Sequence, residues 1–102
     1  MWPFKRKKSE ADLALEWMPQ AINVAAQKWL EFQNLPFNHG APLGDQIFAF
    51  SIPLSQGLRQ WKAFQGADEP FFLLIAAKGV EKAGTHSGDE IAAALQLPYL
   101  PS

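Results

Sequence analysis

The stretch Pro70-Phe-Phe-Leu-Leu-Ile-Ala-Ala77 carries no polar side chain, and it restricts what the rest of the chain can fold into. Asp68 before it is a strong N-cap type, and Glu69 suits the positive end of a helix dipole. Pro70 is tolerated in a first turn, where its missing N–H has no intrahelical partner to lose. Lys78, Glu81 and Lys82 then bring polarity back, and Gly84 supplies a C-terminal stop. The spacing predicts a helix over about 69–83. Its first half is apolar on every side, which requires burial in a core or in a bilayer. The run is far short of the ~20 residues a membrane span needs, so a buried central helix is expected. A strand is the competing reading of so short an apolar run. The continuation Ala-Ala-Lys-Gly-Val-Glu-Lys-Ala weighs against it, being rich in helix formers and poor in β-branched residues.

A buried helix needs apolar partners, and the chain has them. Of its 102 residues 48% are hydrophobic and 13% aromatic, with four Trp and eight Phe, which is the composition of a folded domain and not of a disordered chain. That length fits one domain, able to bury roughly 60–65% of its unfolded surface. Cysteine is absent, which excludes a disulfide framework, thiolate metal centres and a cysteine nucleophile, and fits a reducing cytoplasm.

The net charge of −1 conceals an uneven distribution. Lys5, Arg6, Lys7 and Lys8 fall among the first eight residues, which hold no acid, while the remainder has five basic and ten acidic residues. No apolar segment of the kind a secretory signal needs follows the basic run. The plain reading of this arm is a frayed end. The functional reading is a contact with an anionic membrane surface through Trp2, Phe4, Lys5, Arg6, Lys7 and Lys8, each cation contributing about 1 kcal/mol near acidic lipid. The same charges suit nucleic acid phosphates less specifically.

Ser9-Glu10-Ala11-Asp12 has the chemistry of a helix start. Ala14, Met18, Ile22, Ala25, Trp29 and Phe32 then recur on one helix face to about Asn34, widened by Leu13, Trp17, Ala21 and Val24. Pro19 lies inside this pattern and predicts a kink near Glu16, or a split into helices over 9–17 and 19–34. Leu35-Pro36 ends the pattern. Residues 37–44 form the main loop by their Asn, Gly and Pro content, with Phe37 and Leu43 as its anchors to the core. Asp45 caps a short helix with Ile47, Phe48 and Phe50, although the alternation of Phe48, Phe50, Ile52 and Leu54 also matches a strand. Ser51 and Pro53 are expected to interrupt the chain before an amphipathic helix of Leu54, Leu58, Trp61 and Phe64, ended by Gly66. Within it Gly57 offers a place for another helix to approach closely. A last helix is expected from Ser87 to about Leu97, followed by an extended tail.

The residues that carry chemistry elsewhere favour structural readings here. His86-Ser87-Gly88-Asp89-Glu90 contains the side-chain types of a hydrolytic triad, but a triad depends on spatial geometry that adjacency does not supply. Ser87 followed three residues later by Glu90 reads instead as a capping box. His39 and His86 are the only imidazoles, and no pair of ligands has metal-binding spacing. Gly40-x-x-x-Gly44 lacks the Lys-Ser/Thr of a phosphate loop. No catalytic residue, cofactor or metal is therefore assigned. A ligand pocket near His39 and Asp45 is kept as an alternative, because loops carry function more often than core elements do.

Ser87-Gly-Asp-Glu-Ile-Ala-Ala-Ala-Leu-Gln-Leu-Pro98 resembles the first helix of a helix-turn-helix. The resemblance implies a second, DNA-reading helix after the turn. Only four residues follow Pro98, and the helix begins with acids that oppose phosphate, so nucleic acid is not the expected partner.

The expected fold is all-α, a compact irregular bundle of roughly four to six helices around the buried central helix. The arm at 1–8 precedes a helical domain over 9–102. The expected role is that of a small non-enzymatic module of a bacterial cytoplasm, acting through a protein partner or self-association as a homodimer. Its contact residues are Trp17, Trp29, Phe37 and His39, because large rings concentrate at interfaces. The alternative is attachment to the inner face of a membrane through Trp2–Lys8.

Overall fold

Asp68 and Gly84 bracket the central helix as their types dictate. In the computed structural model, which describes residues 9–35 and 40–96, that helix is Glu69–Ala83. The Asp68 carboxylate accepts from the Phe71 N–H at 3.1 Å, and Gly84 takes the left-handed conformation at φ 82° to end the helix. We number the helices α1 (Glu10–Phe32), α2 (Leu43–Leu58), α3 (Glu69–Ala83) and α4 (Gly88–Leu95), with one 3-10 turn at Lys62–Phe64 before α3. The described residues contain no strand, and the fold is all-α.

α3 is the hub. Phe72, Ile75, Ala76, Ala77, Gly79 and Val80 are buried, which covers most of its circumference. Ala21, Ala25 and Trp29 of α1 meet it from one side, and Ile47, Phe50, Leu54 and Leu58 of α2 complete the core from another. Ile91 and Leu95 of α4 close the far end. The rings form two groups. Trp29, Phe32 and Phe50 lie with centroids 5.3–6.0 Å apart in the wedge between α1 and α2. Phe64, Phe71 and Phe72 gather where the 3-10 turn meets α3, at 5.6–6.4 Å. Edge-to-face and tilted pairs at such separations add to the burial energy of the rings themselves.

The closest helix contact is made without side-chain bulk. A Cβ placed on Gly79 would overlap the Ala25 Cβ and stand 2.9 Å from the Ala25 carbonyl carbon, so α1 and α3 touch backbone to backbone. Gly44 does the same for α2 and α4, where a Cβ would lie 2.5 Å from the Ala94 carbonyl oxygen. Gly57 is not such a site. It is exposed, with nothing within 4 Å of the position a Cβ would take.

Two breaks expected at proline are absent. α1 is one continuous helix through Pro19 from Glu10 to Phe32, so the split into helices over 9–17 and 19–34 does not occur. Residues 47–54 are helical, as the helix expected with Ile47, Phe48 and Phe50 requires and against the strand alternative, but α2 runs through Pro53 to Leu58 instead of breaking at Ser51-Pro53. The reason is where the prolines point. Each removes a hydrogen bond to the carbonyl four residues back, on Leu15 and on Ala49. Leu15, Pro19, Ala49 and Pro53 are all exposed, so water can satisfy the freed carbonyls. Next to Pro53, Ser51 Oγ donates to the Phe48 carbonyl at 2.7 Å and Ser55 Oγ to the Ile52 carbonyl at 2.8 Å. The segment expected as a helix up to Gly66 instead turns at Arg59–Trp61 and re-forms only as the 3-10 turn.

Two of the helical glycines, Gly79 and Gly57, give opposite expectations for one substitution. Gly79→Ala forces α1 and α3 apart and should destabilise the fold by about 1–3 kcal/mol. Gly57→Ala fills open space on a helix and should stabilise it by about 0.5–1 kcal/mol. Urea unfolding of the two variants beside the parent checks both signs.

Candidate interaction surface

Helix α2 has two apolar faces, and only one belongs to the core. Ile47, Phe50, Leu54 and Leu58 recur at three- and four-residue steps and point inward. Phe48 and Ile52 sit one turn apart on another face, 50% and 60% exposed. They are among the largest apolar side chains left in water on this molecule. The ridge of α2 stands between two open apolar troughs. On the α1 side a groove of about 510 Å³ has Phe32, Phe50, Leu54 and Trp61 among its lining residues, with Pro53 and Gly57 along its α2 edge and Lys28 and Glu31 on its α1 rim. On the α3 side a trough of about 580 Å³ is lined by Phe48, Ile52, Arg59, Glu69, Pro70 and Leu73 among others. A third cleft of about 820 Å³ lies between the start of α1 and the segment around Lys62–Phe71.

Polar groups hold the frame of this surface in place. Gln33 at the end of α1 donates to Gln46 Oε1 at 2.8 Å, and Gln46 donates to the Ala41 carbonyl at 2.6 Å. This chain of bonds fixes the entry of α2 against the exit of α1. At the other end, the Arg59 guanidinium stacks on the Phe72 ring at 4.9 Å and donates to the Ala67 carbonyl at 3.3 Å. Asp45 is exposed in the first turn of α2, where its charge suits the positive helix end.

The residues singled out from the sequence divide into three groups. Trp2, Phe4, Lys5, Arg6, Lys7 and Lys8, with Phe37 and His39, lie outside the described residues. Trp29 is corrected. It has no exposed surface, and its indole Nε1–H donates to Thr85 Oγ1 at 3.0 Å, so it is a core anchor and offers nothing to a partner. Its stripe of α1 faces α3, which the sequence pattern could not distinguish from the adjacent stripe. Trp17 is 40% exposed and packs edge-to-face on Trp61 at 6.2 Å. His86 accompanies Thr85, with Nδ1 3.0 Å from Thr85 Oγ1, beside the capping box that Ser87 and Glu90 complete at 3.2 Å in both directions. The triad-like sequence is thus helix-capping chemistry.

Among the described residues no helix is long and apolar enough to cross a membrane, and no three His, Cys, Asp or Glu side chains come together as a metal site. Phe48 and Ile52 are the exposed apolar pair that sequence reading did not single out. The signal was present in the alternation of 48, 50, 52 and 54, which in a helix separates into Phe50 and Leu54 inward and Phe48 and Ile52 outward.

An outward face that the core does not use should tolerate change. Phe48→Ser and Ile52→Ser should each leave stability within about 0.5 kcal/mol, while Phe50→Ala on the inner face should cost about 3–5 kcal/mol. Thermal and denaturant unfolding of the three variants measures the contrast. In comparison with known proteins, no family model, curated protein or solved structure matches the chain.

Proposed function

We propose that this chain is a non-enzymatic protein-contact module of a reducing compartment, with α2 as its working surface. The observation that carries the reading is the outward pair Phe48 and Ile52, exposed beside two apolar troughs. Contiguous apolar surface on a small domain marks a place where another molecule is received. The shape favours a protein over a small ligand. The troughs are open and flank a protruding ridge, whereas small-molecule sites enclose most of their ligand. Leu73 and Pro70 broaden the patch, and Arg59 and Glu69 give it the polar rim of a protein interface.

A photo-crosslinking side chain tests this. Placed at Ile52, it should give discrete adducts with protein in cell lysate. Placed at the exposed Gln27 on the outer side of α1, it should not. Equal labelling from both positions, or none from either, would remove the reading.

A second reading has its own observation, the four cations and two aromatic rings within residues 1–8. It places the chain at an anionic membrane surface. Vesicles containing acidic lipid should then sediment the full chain at low salt and release it as salt rises. A chain lacking residues 1–8 should stay in solution under both conditions.

A further inference from the structure

We infer that the partner received by the outer face of α2 is a second copy of this chain, packed antiparallel about a two-fold axis near Ile52; this rests on the contact-module reading and names its occupant. The face is self-complementary in charge. Asp45 and Ile52 lie seven residues apart on one side of α2, and Arg59, the C-cap residue seven further on, keeps right-handed helical backbone and continues that line just past the helix end, with the apolar residue in the middle. A two-fold axis near Ile52 brings each residue opposite the one equally far beyond it in the second copy, which is the rule of an isologous interface. Asp45 then faces Arg59 of the second copy, and Arg59 faces Asp45 of the second copy. Two opposite-charge pairs flank an apolar centre, each about 10 Å along the helix from Ile52.

The spacing also sets the packing angle. A seven-residue repeat drifts by about 20° per repeat on a straight helix, and two such helices follow each other at a shallow left-handed crossing of about 20°. At that angle the helices stay close enough over two turns on either side for both pairs to form. Apart from Gln56, the residues between on that side are small or apolar. Ala49 comes opposite Ser55 of the second copy, and Phe48 lies over the stem of Gln56 of the second copy. The hydroxyls of Ser51 and Ser55 are turned back onto their own helix carbonyls and leave no donor in the seam.

Both charges are available for this use. Asp45 is exposed and has no ion-pair partner among the described residues. Arg59 gives one N–H to Ala67 and a face to Phe72, which holds its guanidinium over the trough with further donors unused. One helix face with its flanks buries less than the ~800 Å² per partner of a standard interface, so the dimer is reversible and depends on concentration.

Sedimentation velocity over a wide concentration range tests the proposal with charge swaps. The parent chain should shift from monomer to dimer. Ile52→Lys should remain monomeric with unchanged circular dichroism, since it sets two like charges at the axis. Asp45→Arg alone and Arg59→Asp alone should each weaken self-association about tenfold or more. Mixing those two single variants should restore association, as a heterodimer in which both pairs are again opposite in sign, and so should the double variant. A parent that stays monomeric at every concentration overturns the proposal, as does failure of both the mixture and the double variant to recover. If the crosslinker at Ile52 still labels another protein while the parent stays monomeric, the contact module stands and the self-partner falls. If it labels nothing, both fall.

Discussion

The approach of α1 to α3 through Ala25 and Gly79 organises the molecule. At that crossing Ala25 and Gly79 leave no room for a larger side chain. Further along α1, Trp29 and Phe32 pack their rings with Phe50 and fill the wedge between α1 and α2. The tight contact on one side of α3 and the ring-filled wedge on the other are two parts of one packing solution. The wedge is filled only at its floor, and its open upper part is the groove along α2. The bond from Trp29 to Thr85 extends the arrangement to the turn before α4, whose capping box then sets the direction of the last helix.

α2 shows how a short helix can face two ways. Its inner residues follow the helical repeat without error, and a proline is accommodated inside it on the exposed side, where water can satisfy the carbonyl that loses its partner. The same exposure that makes Pro53 tolerable leaves Phe48 and Ile52 in water. Removing a few hundred Å² of apolar surface from water would return about 25 cal/mol per Å². A folded monomer forgoes that gain unless something covers the ridge.

Much of this was legible in the residues. The central helix, its caps, the start of α1 and the capping box at Ser87 rest on local chemistry, and local chemistry is what a sequence displays. Pro19 and Pro53 misled because their effect depends on whether the freed carbonyl is buried or solvated, a property of the assembled fold. Trp29 and Trp17 could not be sorted, since they lie on neighbouring stripes of α1 and only the position of α3 decides which is inside. Gly57 and Gly79 look alike in sequence. One faces solvent and the other a helix backbone, and that difference arises between residues more than fifty positions apart.

That separation has a consequence during synthesis. Ala25 leaves the ribosome long before Gly79, and at about 5–20 residues per second the interval is roughly three to ten seconds. Throughout it, the apolar side of α1 has been made and its principal partner has not. α2 offers only partial cover, because its own packing also converges on α3. The native core of such a chain closes late, in a step that joins the first helix to the third.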